Sequence, residues 1–249
     1  MTELQKPFWQ ESDTAFMKWV ALISMIIDHA GVVFFSGYTE FRLLGRIAFP
    51  LYCWCLVIGS KRTKNPGKYA LRLLGMLVIS QPFYMLALGH EWWELNVFAT
   101  LLLGLLAVLS IEKKWHFSQI WGPAAAILLT LFVKMDYGWR GIVLILLLYF
   151  CRNDRKTLTA VFIAYLLYWG QSSSAISTLC GISLAPLFNF APYSSPLMMV
   201  IFRVQFFGIL ALPFMLHHPA KSWKMPKAVA YLSYPVHLGL IALIKLLVN

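Results

Sequence analysis

Lys18-Trp-Val-Ala-Leu-Ile-Ser-Met-Ile-Ile-Asp28-His29-Ala30 puts an acid and a histidine side by side inside an apolar run, eleven positions after a lysine. At roughly 100° per residue this spacing returns Lys18 and His29 to one helix face, about 16 Å apart along the axis. Runs of about 17 to 20 apolar residues recur along the whole chain, the pattern of a polytopic helical membrane protein. Ionisable groups inside a membrane span are costly and by default mark function. Asp28 and His29 are therefore the first candidates.

Composition supports that class. Of 249 residues, 60% are hydrophobic and 16% aromatic, and mean hydropathy is +0.70. Only 12% are charged, against roughly 25% in a soluble domain. Solid apolar runs rather than alternation argue against a β-barrel. The net charge of +11 does not point to nucleic acid, because the bases fall in short clusters between apolar runs instead of alternating with aromatics along a stripe. The acidic N-terminus (Glu3, Glu11, Asp13) and the polar Asp28-His29 pair argue for a retained first span rather than a cleaved signal. Cys53, Cys55, Cys151 and Cys180 form no disulfide framework, and no metal is expected.

The expected fold is an all-α polytopic membrane protein forming one domain over 1–249. Nine spans are marked, at about 16–35, 43–60, 69–88, 96–111, 119–134, 138–151, 157–171, 197–216 and 228–247. Lys61, Arg62, Lys64, Lys68 and Arg72, then Lys113 and Lys114, then Arg152, Arg155 and Lys156, then Lys221, Lys224 and Lys227 occupy alternate loops. The positive-inside rule makes those loops cytoplasmic, so the N-terminus is cytoplasmic and the C-terminus periplasmic. The segment 172–196, broken by Gly181, Pro186, Pro192 and Pro196, reads as a re-entrant or interfacial element on the outer side.

This topology gathers polar residues from separate stretches into the outer half of the membrane. They are His29, Arg46, Asn96, Asp136 with Arg140, and Arg203 with Gln205, and His237 lies near the middle of the last span on the same face as Tyr234. Simpler roles exist for several. Arg46, Arg140 and Lys18 can snorkel to an interface, Asp136 can cap a helix, and His237 can be a core histidine bonded to a backbone carbonyl. His217-His218 read as interfacial. A histidine suits general-base work near neutral pH, with Asp28 either fixing its tautomer or pairing with Arg46 or another span. Arg46 or Asn96 suits stabilisation of an oxyanion. No P-loop, dinucleotide fingerprint, HExxH or GxSxG is present. The same buried charges would also suit a transporter or a non-catalytic assembly factor.

Several motifs carry a resemblance. Lys18 to Phe35, then Gly45-Arg46-Ile-Ala-Phe49-Pro50-Leu-Tyr, Asn96-Val-Phe98, Tyr137-Gly138-Trp-Arg-Gly141 and Tyr234-Pro-Val-His237-Leu238 resemble, in order and over nearly the whole chain, the TraX family of conjugative-pilin acetylases. The lysine-to-histidine spacing also resembles the Arg-x10-His pattern of the acyltransferase-3 type of transmembrane acyltransferase. The resemblance implies a bacterial inner-membrane enzyme that takes acetyl from cytosolic acetyl-CoA and places it on an acceptor at the outer face. The implied acceptor is the N-terminal amine of a pilin subunit, with a cell-envelope sugar or amine as the alternative. His29, Asp28, Arg46 and His237 are then the catalytic candidates. Lys18, Asn96, Asp136, Tyr137, Arg140, Arg203 and Tyr234 are the candidates for substrate binding.

Overall fold

The computed structural model describes residues 7–176, 178–179, 181–184, 196–217 and 223–248. Cys180, Pro186, Pro192, His218 and Lys221, with most of the expected interfacial segment, lie outside them.

Capping residues set where the helices begin. The Asp13 carboxylate accepts from the N–H groups of Ala15 and Phe16 at 2.9 and 3.1 Å and starts α1 (Thr14–Phe34). A single apolar run then folds as α2 (Thr39–Gly45) and α3 (Ala48–Arg62), interrupted at Arg46-Ile47. Pro50 offers no N–H to the Arg46 carbonyl four residues back, so the helical ladder loses a bond at that turn. α4 (Pro66–Leu88) has Asn65 accepting from Lys68 N–H at its start and ends on Gly89, whose φ of +75° is left-handed. α5 (Val97–Lys113), α6 (Ser118–Phe132), α7 (Gly138–Cys151) and α8 (Arg155–Gly170) follow. A two-residue antiparallel pair, β1 (Thr178–Leu179) and β2 (Ile182–Ser183), leads to α9 (Pro196–Ile201), a 3-10 segment Val204–Ala211, α10 (Leu212–Leu216) and α11 (Lys227–Val248).

The centre of the bundle is α3. Phe49, Leu51, Trp54 and Ile58 on it are no more than 2% exposed, walled by α1, α5, α7 and the 3-10 segment. A helix buried on every side can be apolar all round. The outer faces are apolar as well: Leu71, Val78 and Leu86 on α4, Leu131 and Phe132 on α6, and Leu247 on α11 are each more than half exposed. A bilayer accepts such a surface, and water does not. Thr14–Phe34, Thr39–Arg62, Pro66–Leu88 and Lys227–Val248 are long and apolar enough to cross one.

Helices cover eight of the nine expected spans within a few residues, the second of them as the pair α2 and α3, but α5 to α8 have only 14 to 17 residues each. The expected span 197–216 is not one helix. It breaks at Phe202-Arg203, where the chain turns extended and pairs with 174–176: Ile176 N–H donates to Phe202 O at 2.9 Å and Val204 N–H to Ser174 O at 3.1 Å. Tertiary pairing here takes the backbone bonds that a continuous helix would use.

The two ends of the bundle differ. At the end where α1 begins, Lys61 meets Glu112 at 2.9 Å, Arg62 donates to the carbonyls of Gln10 and Ser12, and Trp223 N–H reaches Asp13 at 2.7 Å. At the other end, Leu95 N–H donates to Lys134 O and Asp136 N–H to Leu95 O beside α7, and Glu94 holds both Lys134 and His90.

Candidate functional site

Asp28 and His29 are both buried and face different neighbours, as adjacent helical positions must. Asp28 points to α2 and the kink after it, meeting Arg46 Nη2 at 2.7 Å and Arg42 Nη1 at 3.2 Å. Gly45 permits the approach, because a Cβ there would come within 2.2 Å of Asp28 Cβ. Of the alternatives for Asp28, pairing with Arg46 is the arrangement found. The histidine's partner comes from α11.

His29 Nδ1 lies 2.7 Å from His237 Nε2, and His237 Nδ1 lies 2.7 Å from the Ser233 carbonyl. A carbonyl only accepts, so His237 carries its proton on Nδ1 and, when neutral, presents a lone pair at Nε2. His29 must then donate from Nδ1, which leaves the lone pair of its neutral ring on Nε2. The ring centroids are 5.0 Å apart with 11° between planes. That separation is the N···N distance plus one ring radius on each side, so the rings meet edge to edge in nearly one plane. His237 therefore bonds a backbone carbonyl, as a core histidine does, and also orients a second histidine.

Two cavities approach this pair. The larger, about 570 Å³, is lined by Asp28, His29, Arg42, Arg46, His90 and Asp136. The other, about 340 Å³, opens beside the first turns of α1 and is lined by Lys18, Tyr52, Tyr69, Arg72, Lys227 and Tyr234. The wall between them is aromatic. Tyr234 meets His29 edge-on at 6.0 Å, His237 at 5.5 Å and Phe98 at 5.2 Å between centroids. Lys18 and His29 therefore line different cavities despite sharing a helix face.

The remaining expected residues divide. Asp136 lines the larger cavity, and burial raises its carboxyl above the ordinary range. It does not cap α7: the cap position is Tyr137, with φ of +64° and no side-chain bond. Asp136 is instead held by its backbone, donating to Leu95 O at 2.9 Å and accepting from the Thr100 hydroxyl. The Tyr137 ring stacks on Phe49 at 3.7 Å and lines the same cavity, with the Arg46 guanidinium 6.0 Å from it. Asn96 is fully buried but structural. Its oxygen caps α5 through Phe98 N–H, and its amide donates to Leu77 O and Gln81 Oε1 at 3.0 Å each. Arg140 lies over the Trp139 ring at 4.9 Å and lines neither cavity. Arg203 donates to Ser173 O at 2.7 Å and pins the break in the former span eight. Gln205, two residues on, accepts from Arg46 at 3.5 Å. His217 packs on Phe16.

Arg42 and His90 line the larger cavity without having been singled out from sequence. His90 stacks on Tyr84 at 4.4 Å and bonds Glu94 at 2.7 Å. The i, i+4 spacing of His90 and Glu94 was the available signal, in a loop where charge is ordinary. Cys53 and Cys55 are buried and free. Among the described residues no group of three or more His, Cys, Asp or Glu converges as a metal site.

The amino-acid sequence is similar to those of known proteins. The chain is 31% identical to the probable fimbrial assembly protein FimC, serogroup H1, of Dichelobacter nodosus, over 92% of this chain and 94% of that one. It is 28% identical to Protein TraX of Escherichia coli, over 72% and 74% of the two chains. No solved structure matches. The family model described as TraX protein covers residues 13–245, so every residue of both cavities and of the histidine pair falls within it, and the chain belongs to the TraX family.

Proposed function

We propose that this protein is an acetyl-CoA-dependent N-acetyltransferase of the bacterial inner membrane, acting on the N-terminal amine of a pilin subunit. The observation that carries the reading is the placement of His29. Its tautomer is held by His237, and it sits in the wall between a basic cavity at one end of the bundle and a polar cavity at the other.

Acetyl-CoA is polyanionic and cytosolic. Lys18, Arg72 and Lys227 around the smaller cavity suit its phosphates, and positive-inside bias assigns that end to the cytoplasm. In this orientation all nine segments cross the membrane, and the larger cavity opens to the periplasm, where a translocated pilin amine arrives. An α-amine has a pKa near 8 and attacks only when deprotonated. His29 Nε2 takes that proton as nitrogen attacks the thioester carbon, and the resulting imidazolium is steadied through Nδ1–H by His237. Collapse breaks the C–S bond, and the thiolate recovers the proton from His29. Asp28 does no proton transfer in this scheme, since both its oxygens face arginines. The relative named for fimbrial assembly and the family resemblance both favour a pilin as the acceptor.

Intact-mass analysis of the cognate pilin tests the reading. Pilin from cells with the wild-type protein should be heavier by one acetyl group than pilin from cells lacking it. His29→Ala should match the deletion while still accumulating in the membrane. An unchanged pilin mass in the deletion strain removes the pilin acceptor.

A further inference from the structure

An acyl transfer of this kind needs a donor for the oxyanion that forms on the thioester carbonyl. The two groups that suited the role from sequence are already engaged. Asn96 spends both amide hydrogens on Leu77 O and Gln81, and Arg46 holds Asp28, with further bonds to Arg42 O and Gln205. Tyr234 is in the opposite condition. It is 4% exposed, and its hydroxyl has no hydrogen-bond partner among the described residues. Buried phenols normally find a partner, so an orphaned one asks for an explanation. Its position supplies it: the residue lines the Lys18 cavity, and its ring meets both His29 and His237.

We infer that the Tyr234 hydroxyl is the oxyanion donor for the thioester, a catalytic role that rests on the acetyltransferase reading above. The acetyl carbonyl enters from the Lys18 cavity and meets the O–H at the wall, with His29 facing the amine from the other side. As the N–C bond forms, the carbonyl π pair moves onto oxygen and the Tyr234 bond strengthens. As that pair returns, the C–S bond breaks and sulfur leaves with its electrons, while the amine proton sits on His29. A hydroxyl with no partner among the described residues has no such bond to give up when the oxyanion appears, so the donor is preorganised for the charge.

Tyr234→Phe is the test, because it removes the hydroxyl and keeps the ring. The measurements use purified protein, radiolabelled acetyl-CoA and the cognate pilin. The expected result is a fall in kcat of about 10²- to 10³-fold, with acetyl-CoA affinity held and the melting temperature unchanged or raised, since a buried unsatisfied group has been removed. Thermal stability and affinity together show that the variant is folded and loaded. A variant that keeps wild-type kcat overturns the inference and leaves the acetyltransferase reading standing. Loss of acetyl-CoA affinity in step with activity also overturns it, by making the hydroxyl a ground-state contact. Wild-type protein that transfers no acetyl removes the acetyltransferase reading, and this inference with it.

Discussion

Replacing His237 should slow acetyl transfer by an amount that the hydrogen-bond chain sets in advance. In the resting pair a neutral His29 donates to a neutral His237, across 2.7 Å and between nearly coplanar rings. A neutral hydrogen bond contributes about 1 kcal/mol and one to a charged group about 1.5–3 kcal/mol, so the bond gains about 0.5–2 kcal/mol when His29 becomes imidazolium. Only that gain accelerates the reaction. His237→Ala should therefore lower kcat by about 2- to 30-fold at one decade per 1.36 kcal/mol. His29→Ala, which removes the base, should cost about 10²- to 10⁴-fold. His237→Gln keeps an acceptor oxygen on a side chain of similar reach and should recover part of the loss. The assay is release of free CoA in the presence of pilin, with KM for acetyl-CoA measured alongside, and the effect should fall on kcat. The reasoning fails if His237→Ala keeps full kcat, or if the glutamine variant is no better than the alanine one.

Two further predictions concern the groups around the site. Arg46→Met should destabilise the fold by about 3–5 kcal/mol, because it leaves a buried carboxylate with only the half-exposed Arg42 beside it. Arg42→Met should cost at most about 1 kcal/mol, since that side chain is 39% exposed. Thermal unfolding in detergent, read by a thiol-reactive dye on the buried Cys53 and Cys55, separates the two, and equal shifts would contradict the assignment. Hydrogen bonds from Lys134, then from His90 and the Glu91 backbone, hold the Glu94 carboxyl down to about 2, against an ordinary 4.5. A lowered folded pKa favours the ionised form, so its stabilisation is complete above the unfolded value and is lost as pH falls toward the folded one. Wild-type melting temperature should therefore drop more steeply than that of Glu94→Gln between about pH 4.5 and 2, less so in high salt; parallel curves would refute it.

The helices were legible because apolar runs bounded by basic clusters register directly in one dimension. α1, α4, α7 and α11 begin and end within a few residues of the expected limits. The break in the eighth run was not, although Arg203 stood out within it. Hydropathy from Leu197 to Leu216 gives no sign of it, and what opens the helix is backbone pairing with 174–176, nearly thirty residues earlier. The kink at Arg46 was readable in principle from Pro50, which removes a bond at a fixed distance. Asn96 shows the opposite error. A polar residue opening an apolar run looked functional, yet Asn is a favoured cap and serves as one here.

The site itself was half legible, for a reason that lies in helix geometry. Depth along a helix follows from counting residues, so His29, Arg46 and Asp136 were placed in one layer, and all three line one cavity. Azimuth does not follow from counting, because it depends on which neighbour packs on which face. Adjacent residues differ by about 100°, so Asp28 and His29 could not both face one partner. Only packing assigns the carboxylate to the arginines of α2 and its kink, and the imidazole to α11, 208 residues away. The consequence is chemical. A buried ion pair is weak evidence for stability, since desolvation of both charges roughly cancels their attraction. Here Asp28 and Arg46 satisfy each other, and the histidine is left with a neutral partner that orients its proton. Of the two roles that the sequence left open for the acid, helper of the base and partner of Arg46, the fold takes the second and anchors the kink after α2 beside His29.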